Sequence, residues 1–313
     1  MQSRVLRIGT RGSPLALAQA SMVRAQLAST HGLAEHGLAA EAFELKIIRT
    51  SGDVIQDRPL AEVGGKGLFT KEIEEALIAG EIDLAVHSAK DLPTLLPGGL
   101  AIVAALPRED PRDVFISRKA KRLRALADGA TVGTASLRRQ ALVKRLRPDL
   151  KVVTFRGNVE TRLRKLDEGV VDATLLALAG LRRLGLTEAV TAILDTEEFL
   201  PAVGQGIVAL EARADDTRTR SFLDRINSPD DAIALAAERA FLTVLDGSCR
   251  TPIAGHAKVA AGRVSFRGLI AKPDGSHVLE TTREGAAAQA SALGADAGRE
   301  LKERAGAGFF TLA

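Results

Sequence analysis

The sequence has one cysteine, Cys249, and neither tryptophan nor tyrosine, so its ten phenylalanines are its only aromatic residues of the Phe, Trp and Tyr type. One cysteine cannot form a disulfide within the chain or build a zinc site of the multi-cysteine type, and we expect no metal site. The missing tryptophan and tyrosine disfavour a nucleic-acid-binding protein that stacks bases on rows of aromatic side chains. The role of the single thiol is therefore the first question that the sequence poses.

Long apolar segments are also missing. No run approaches the roughly 20 residues of a membrane-spanning helix, and residues 1–7 lead into a strand pattern without the apolar core of a signal peptide. We therefore expect a cytoplasmic protein that does not bind a membrane. With 46% hydrophobic and 26% charged residues, the 313-residue chain is long enough for two or three globular domains.

The net charge of +4 is unevenly distributed along the chain. Residues 101–185 contain 19 lysines and arginines against 9 aspartates and glutamates, a net charge of +10, and the rest of the chain carries −6. By itself such a basic segment is compatible with a solvated surface or with weak affinity for nucleic acid. Whether the segment instead forms a specific anion-binding site has to be decided from where its cations lie relative to the predicted strands and helices.

Short β-branched runs alternate with amphipathic helical patterns through the first two thirds of the chain. This alternation is typical of an α/β protein with largely parallel sheets. Ser13 and Pro14 form a strong helix start, as N-cap and first helical residue. The predicted helices are residues 14–29, 70–79 and 136–147, and the predicted strands are residues 5–10, 43–49, 83–87, 114–117, 131–133, 151–155, 173–177 and 207–212.

Two turn-rich segments, residues 107–113 and 200–206, indicate two crossings between α/β halves, and we expect a hinged cleft there. After Pro229 the pattern changes to a helix, three strands with a hairpin turn at residues 273–276, and a final alanine-rich helix, which predicts a small α+β domain. The predicted domains are residues 1–106 with 207–226, residues 107–206, and residues 227–313.

Basic residues recur just after a predicted strand and near the start of the following helix. A cation at the positive end of a helix costs about 0.3–1 kcal/mol unless an anion lies between them. Ligands of open α/β sheets also bind at the carboxyl ends of the strands, so the pattern predicts bound carboxylates or phosphates. The turn around Lys66 lacks the spacing of a P-loop. The recurring cations are Arg11, Lys66, Arg138, Arg139, Arg156, Arg182 and Arg183.

Residues 87–93 (HSAKDLP) place His87, Lys90 and Asp91 at one strand end. Asp91 is compatible with an ordinary turn residue and His87 with a hydrogen-bonded core histidine. A carboxylate among cations would instead suit cation stabilisation or proton transfer. Cys249 lies in a glycine-containing loop beside Arg250, which favours the thiolate, so a reactive or modified cysteine and an inert thiol both remain open.

Seven motifs, which follow one another along the whole chain, resemble those of the porphobilinogen deaminases, also called hydroxymethylbilane synthases. Each motif alone is unspecific, but their combination in this order is specific, and the chain is identified as a member of that family. The motifs are RIGTRGSPLAL at residues 7–17, VGGKGLF at 63–69, AVHSAKD at 85–91, GTASLRRQ at 133–140, FRGN at 155–158, LPAVGQG at 200–206, and the loop around Cys249.

The resemblance implies two domains similar to periplasmic binding proteins and a third domain that carries the cysteine. It also implies a dipyrromethane cofactor, made from two substrate molecules and held by a thioether to Cys249. Such an enzyme is a transferase of tetrapyrrole and heme biosynthesis. It adds four porphobilinogen molecules with loss of four ammonia molecules, then releases hydroxymethylbilane by hydrolysis next to the cofactor.

The family's site residues are transferred by motif. Asp91 matches the catalytic carboxylate, which is expected to assist ammonia departure, stabilise the azafulvenium cation and assist loss of the α-proton. A fully extended hexapyrrole carries twelve carboxylates, which the basic segment can bind. Phe69 is expected to pack over the incoming pyrrole. The expected substrate-binding residues are Arg11, Ser13, Lys66 and Phe69, and the expected cofactor-binding residues are Cys249, Lys90, Ser136, Arg138, Arg139, Arg156, Arg162 and Arg183.

Three positions depart from the family pattern. Glu62 stands where a lysine is frequent, and no anion-binding role is expected for it; Ser248 and Ala135 are milder changes. A non-enzymatic anion-binding protein of two lobes would explain the basic turns but not the domain that carries Cys249. A nucleic-acid-binding protein is disfavoured because the basic residues lie at loop mouths and not along one stripe. We expect a monomer without an obligate protein partner.

Overall fold

The computed structural model describes residues 5–35, 37, 39–54, 67–246, 251–306 and 308–309. These residues form two compact units. The first unit contains the described residues up to 54 together with residues 67–108 and 207–232, and the second contains residues 109–206 and the described residues from 233 onward.

Thirteen strands occur among the described residues. They are β1 (Leu6–Thr10), β2 (Phe43–Ile47), β3 (Leu84–Ser88), β4 (Leu100–Ala105), β5 (Asp113–Ser117), β6 (Thr131–Gly133), β7 (Lys151–Val153), β8 (Ala173–Ala177), β9 (Ala192–Ile193), β10 (Val208–Arg213), β11 (Ile253–Ala260), β12 (Arg263–Ala271) and β13 (Val278–Ala286).

Ten α-helices accompany these strands in the described part of the chain. They are α1 (Pro14–Thr30), α2 (Ala39–Ala42), α3 (Ser51–Val54), α4 (Lys71–Ile78), α5 (Leu137–Leu146), α6 (Val159–Asp167), α7 (Leu178–Leu184), α8 (Thr217–Leu223), α9 (Pro229–Val244) and α10 (Ala290–Ala305).

The first unit is built on a five-stranded sheet in the order β2-β1-β3-β10-β4. Strand β1 pairs parallel with β2 and β3, whereas β10 runs antiparallel to both β3 and β4. Helix α1 begins as predicted, because Ser13 accepts a hydrogen bond from the backbone N–H of Ala16 at 3.3 Å and Pro14 is the first helical residue. The apolar side chains of Leu6, Ile8 and Val23 are fully buried between this helix and the sheet.

The second unit contains a sheet of the same design, in the order β7-β6-β8-β5-β9. Its first three strands are parallel, and β5 runs antiparallel to both β8 and β9. In each five-stranded sheet four strands run in one direction and a single strand runs against them, β10 in the first sheet and β5 in the second, so the expectation of largely parallel sheets is confirmed. The opposed strand in each sheet follows a crossing segment and not a crossover helix, so it is not constrained to the parallel direction.

A three-stranded antiparallel sheet, β11-β12-β13, follows in the second unit and packs against α9 and α10. Phe241 of α9 and Phe266 of β12 pack with their ring centroids 5.0 Å apart and their planes tilted by 58°. The predicted hairpin turn between the last two strands is confirmed, since Gly275 adopts a φ of +72° and its N–H donates to the carbonyl of Lys272. The α/β sheets and this α+β portion confirm the predicted fold class.

The predicted domain boundaries at residues 106, 206 and 226 and the hinged cleft stay predictions. Among the helices that the structure describes, none is both long enough and apolar enough to cross a membrane.

Candidate functional site

A small cavity of about 50 Å³ in the first unit brings together four of the predicted residues, Arg11, Ser13, Phe69 and Asp91. Two of the turns that supply them follow β1 and β3, which are neighbouring parallel strands, so their carboxyl ends lie at the same edge of the sheet. The guanidinium of Arg11 lies 4.2 Å from the centroid of the Phe69 ring. The remaining lining residues are Leu15, Ala16, Gln19, Thr70, Val86, His87 and Ser88.

Asp91 occupies the last position of a short 3₁₀ turn, Ala89–Asp91, that continues directly from β3. The turn is fixed by its backbone, because the N–H of Ala89 donates to the carbonyl of Ile207 at 3.0 Å. The Asp91 side chain is exposed while the apolar neighbours Ala89 and Leu92 are buried. The carboxylate is thus presented by a rigid turn at the wall of the cavity, where a ligand can reach it.

Gln19 and Ser88 are functional candidates that the sequence did not single out. The side-chain amide of Gln19 donates to the hydroxyl of Ser88 at 2.9 Å, and both residues line the cavity. Gln19 is almost fully buried although it lies on a surface helix. The other buried residues of this helix are alanine, valine and leucine, so a glutamine among them is the signal that could have identified Gln19.

Three buried titratable residues lie next to the cavity in the same unit. His87 of β3 is 5% exposed, and its Nε2 lies 3.1 Å from Oε2 of Glu211 on β10. Glu211 is fully buried, and Glu74 of α4 is buried nearby. His87 is thus a buried core histidine paired with a carboxylate, in keeping with the structural interpretation that the sequence left open for it.

Glu74 gives this region a testable dependence of stability on pH. Burial raises the pKa of Glu74, and the negative charge of Glu211 adds to that effect, whereas Thr70 and His87 oppose it. Above the ordinary value of 4.5, the folded state therefore holds a proton that the unfolded state has lost, so the free energy of unfolding falls as pH rises toward the raised pKa. Glutamine does not titrate, so we expect the free energy of unfolding of Glu74→Gln not to show this decrease. The difference between the variant and the wild type in free energy of unfolding therefore grows in favour of the variant as pH rises.

Urea unfolding of the two proteins at pH values from about 4.5 to 8 measures this difference. Glu81→Gln is the matched control, because Glu81 is an exposed glutamate of the same unit, shortly after the same helix, and its charge is not among those that raise the pKa of Glu74. A Glu74→Gln difference that stays constant over the pH range would contradict the assignment of the raised pKa to Glu74.

The second unit places most of the predicted cofactor-binding residues after three neighbouring parallel strands. Ser136 and the arginine pair follow β6, Arg156 and Arg162 follow β7, and Arg183 follows β8. Because the strand order is β7-β6-β8, the carboxyl ends of all three lie at one edge of the sheet. Ser136, the arginine pair and Arg156 thus lie in or next to turns at one edge of the sheet. The expectation that Arg182 and Arg183 lie near a helix start is wrong, because α7 begins directly after β8 and both arginines lie in its last turn.

The arginine pair is buried and ion-paired within the protein. Arg139 donates from Nε and Nη2 to Oδ1 of Asp113, at 3.1 and 2.7 Å, and from Nη1 to the carbonyl of Leu175 at 2.9 Å. Arg138 donates from Nη1 to the carbonyl of Leu200 at 2.8 Å, and its Nη2 lies 2.7 Å from Oδ2 of Asp113. The anion that the sequence argument required at this helix start is thus supplied, in part, by Asp113.

Sequence reasoning missed Asp113, which is fully buried at the start of β5. Burial alone would raise the pKa of Asp113, but the charges of Arg138 and Arg139 outweigh burial and lower that pKa to about 2. Asp113 is therefore ionised throughout the ordinary working range of pH.

Arg162, Arg183 and the neighbouring Lys165 donate to backbone carbonyls. Arg162 donates from Nε to the carbonyl of Gly157 at 2.7 Å, and Lys165 donates from Nζ to the carbonyl of Arg156 at 3.2 Å. Arg183 donates from Nη2 to the carbonyl of Gly206 at 2.6 Å, and burial lowers the pKa of Arg183.

The turns before α5 and α6 have fixed backbones, because the side chains of Ser136 and Asn158 cap these two helices. In α7, Arg182 forms an ion pair with Glu109, with Nη1 2.6 Å from Oε1. Lys66, Glu62 and Cys249 lie outside the described residues.

The residues present fit a pyrrole polycarboxylate such as dipyrromethane. Each pyrrole unit of that group bears an acetate and a propionate, and the donors at the edge formed by β7, β6 and β8 are arginines and the hydroxyl group of Ser136, which are suited to carboxylates. In addition, Nε of Arg138 is buried and makes no hydrogen bond within the described part of the chain. The arginine pair thus retains donor capacity beyond its contacts with Asp113.

Comparison with known proteins agrees with this chemistry. Residues 6–221 match the family model described as porphobilinogen deaminase, dipyromethane cofactor binding domain, and residues 232–303 match porphobilinogen deaminase, C-terminal domain. The porphobilinogen deaminase of Nitrobacter winogradskyi is 65% identical over 305 residues, which cover 97% of this chain and 95% of that protein. The protein of the same name from Nitrobacter hamburgensis is 64% identical over the same shares of the two chains.

A solved structure of an ABC transporter periplasmic substrate-binding protein from Coxiella burnetii is also similar. It is 15% identical, with a TM-score of 0.45, and the similarity covers 75% of this chain and 97% of that one. The two family models together span most of the chain, and the Nitrobacter relatives match it almost from end to end. The chain therefore belongs to the porphobilinogen deaminase family.

Proposed function

We propose that Asp91 and the basic strand-end turns of this chain carry out the family's reaction. In that reaction four porphobilinogen molecules condense head to tail with loss of ammonia, and hydroxymethylbilane is released by hydrolysis. The observation that carries the proposal is the cavity of the first unit, where the exposed carboxylate of Asp91 shares its walls with Arg11, Ser13 and Phe69. An anionic substrate with a cationic reacting centre needs such a combination of groups.

Arg11 and Ser13 bind and orient the substrate in this proposal. The acetate and propionate of porphobilinogen require charged or hydroxyl donors, and both residues follow β1 at the edge of the cavity. The Arg11 guanidinium lies against the Phe69 ring, which restricts its position. One face of the Phe69 ring is thereby covered by Arg11, so the predicted packing over the incoming pyrrole involves the other face.

Asp91 acts on the reacting carbon and nitrogen of the substrate. The aminomethyl group reacts as its ammonium form: the bond between carbon and nitrogen breaks, ammonia leaves with that bond's electron pair, and the positive charge passes to the pyrrole ring as an azafulvenium cation. The Asp91 carboxylate stabilises this cation by its charge and by accepting a hydrogen bond from the pyrrole N–H. After the new carbon–carbon bond forms, the same carboxylate accepts the α-proton and restores the aromatic pyrrole.

The cations of the second unit and Lys90 hold carboxylates in the proposal. The dipyrromethane group, when bound through Cys249, supplies the free pyrrole α-position to which the first substrate is joined. This chain's contribution is a fixed array of donors at one sheet edge, comprising Ser136, Arg138, Arg139, Arg156, Arg162 and Arg183. Lys66 is assigned to substrate binding by motif alone.

The stoichiometry of turnover tests the proposed function. Purified protein incubated with porphobilinogen is expected to release four ammonia molecules for each hydroxymethylbilane formed, measured by an ammonia assay and by absorbance of the cyclised product after oxidation. Porphobilinogen that is bound but not consumed would favour the non-enzymatic anion-binding protein instead. The cytoplasmic location, the monomeric state and the lack of an obligate protein partner stay predictions.

A further inference from the structure

We infer that Asp113 is a positioning residue for the cofactor-binding arginine pair, and that Gln205 supports it. The inference rests on the proposed function, because it concerns how Arg138 and Arg139 are held for pyrrole carboxylates. We call Asp113, Arg138, Arg139 and Gln205 the Asp113 cluster.

The carboxylate of Asp113 is contacted by three side chains, two from α5 and one from the second crossing segment. Its Oδ1 accepts both Arg139 bonds, and it also accepts a bond from Nε2 of Gln205 at 3.0 Å. Its Oδ2 faces Nη2 of Arg138 at 2.7 Å. One buried side chain therefore defines the orientation of both guanidinium planes, since each plane points toward a different oxygen of the same carboxylate.

Gln205 fixes the carboxylate in turn. It lies in the second crossing segment, it is 1% exposed, and its Nε2 also donates to the carbonyl of Pro111 at 2.7 Å. Arg138 reaches the same crossing segment through its bond to the carbonyl of Leu200. The cluster thus joins the start of β5, the first turn of α5 and the segment before β10, three regions that are distant in sequence.

The charge balance of the cluster favours a bound anion. Arg138 and Arg139 contribute two positive charges, and Asp113 contributes one negative charge, so the buried cluster has an excess of one positive charge. Burial lowers the pKa of Arg138, Asp113 raises it, and the charge of Arg139 lowers it further. Two like charges held side by side are unfavourable unless an anion offsets them, and a ligand carboxylate would supply the second negative charge.

The Asp113 cluster also explains why the arrangement does not depend on pH. The charged and hydrogen-bonding groups that act on Asp113 are Arg138, Arg139 and Gln205, and together they hold its pKa at about 2. Because Asp113 keeps its charge at neutral pH, both guanidinium groups face an ionised carboxylate there.

The experiment compares Asp113→Asn with wild type and with Asp149→Asn. Asp149 is the matched control, because its pKa is also lowered to about 2 by an arginine, Arg147, but the pair is at the surface. The measurements are the fraction of chains that carry the dipyrromethane adduct, by intact mass after denaturation, together with KM, kcat and the thermal unfolding temperature.

We expect Asp113→Asn to lower the adduct-bearing fraction and to raise KM for porphobilinogen by roughly tenfold or more in the loaded protein, with a smaller change in kcat. The amide removes the charge and turns a donor toward one of the arginines, so at least one guanidinium must reorient. Asp149→Asn is expected to match wild type in both measurements. Equal loading and an unchanged KM in folded Asp113→Asn would overturn the inference.

Gln205→Leu keeps the experiment decisive if Asp113→Asn does not fold. This change removes one donor to Oδ1 and leaves the ion pairs in place, so we expect a rise in KM of about threefold with a loaded cofactor site. An unchanged KM for Gln205→Leu would contradict the supporting role of Gln205. A wild-type protein without adduct would instead refute the proposed function itself, so the two failures are distinguishable.

A double-mutant comparison separates positioning from general stability. If Asp113 acts through the arginines, Asp113→Asn is expected to have little further effect on the adduct-bearing fraction of a protein that already carries Arg138→Gln and Arg139→Gln. Additive effects would show that Asp113 acts by another route, and would count against the inference.

Discussion

Asp91→Ala is expected to lower kcat by about 10³-fold while the protein remains folded and carries its cofactor. The carboxylate is exposed on a turn whose backbone is held by Ala89 and by buried neighbours, so its removal leaves the packing of the first unit intact. Surface substitutions of this kind usually change stability by about 0.5 kcal/mol or less. We therefore expect Asp91→Ala to lower kcat without lowering the stability of the protein.

The size of the expected loss follows from the charge that develops in the substrate. Departure of ammonia leaves a cation, and a fixed carboxylate beside it stabilises the transition state more than the ground state. Asp91→Asn keeps the shape but removes the charge, so it is expected to be nearly as slow as Asp91→Ala. Steady-state kinetics of both variants give the comparison.

Glu81→Ala is a suitable control for the Asp91 variants. Glu81 is an exposed carboxylate of the same unit, shortly before β3 and outside the cavity lining. It is expected to show wild-type turnover. Near-normal kcat in Asp91→Ala would remove Asp91 from the reaction and leave it as a turn residue.

Cys249→Ser is expected to abolish the covalent adduct and to lower turnover by about 10³-fold or more. Cys249 is the only cysteine, so no other thiol of the chain can take its place. A serine hydroxyl is a far weaker nucleophile than a thiolate at neutral pH, and Arg250 beside the cysteine favours the thiolate. Intact mass and activity of the purified variant measure the two losses.

Ser248→Ala is the matched control for the cysteine variant, because it changes the neighbouring residue and keeps the thiol. It is expected to retain the adduct. The wild-type adduct is also expected to persist under denaturing and reducing conditions, since a thioether, unlike a disulfide, is not reduced by thiols. An adduct that is released by a reducing agent would contradict the thioether.

Much of the fold could be predicted because its strands are short apolar runs with clear helix starts between them. The segment Ala173–Ala177 was predicted with the bounds that the structure has, and Ser13 caps α1 as expected. The sequence analysis did not predict β4 (Leu100–Ala105), because three of its six residues are alanine and the β-branched signal is weak. It also did not predict α7, which follows β8 without a loop or a side-chain cap.

The candidate site could be predicted only as far as local motifs reach. Arg11, Ser13, Phe69 and Asp91 are far apart in sequence, yet each follows or precedes an element whose end could be recognised, and the structure brings them to one cavity. Asp113 could not be recognised in this way, because the segment before it reads as a turn. Its importance follows from sheet pairing, which carries it to the arginine pair and to Gln205.

The covalent cofactor on Cys249 is tested by the intact mass of the wild-type protein, purified and then denatured. We expect a mass that exceeds the polypeptide mass by two linked pyrrole units, with the excess located on the peptide that contains Cys249. Active protein whose mass equals that of the polypeptide alone would contradict it.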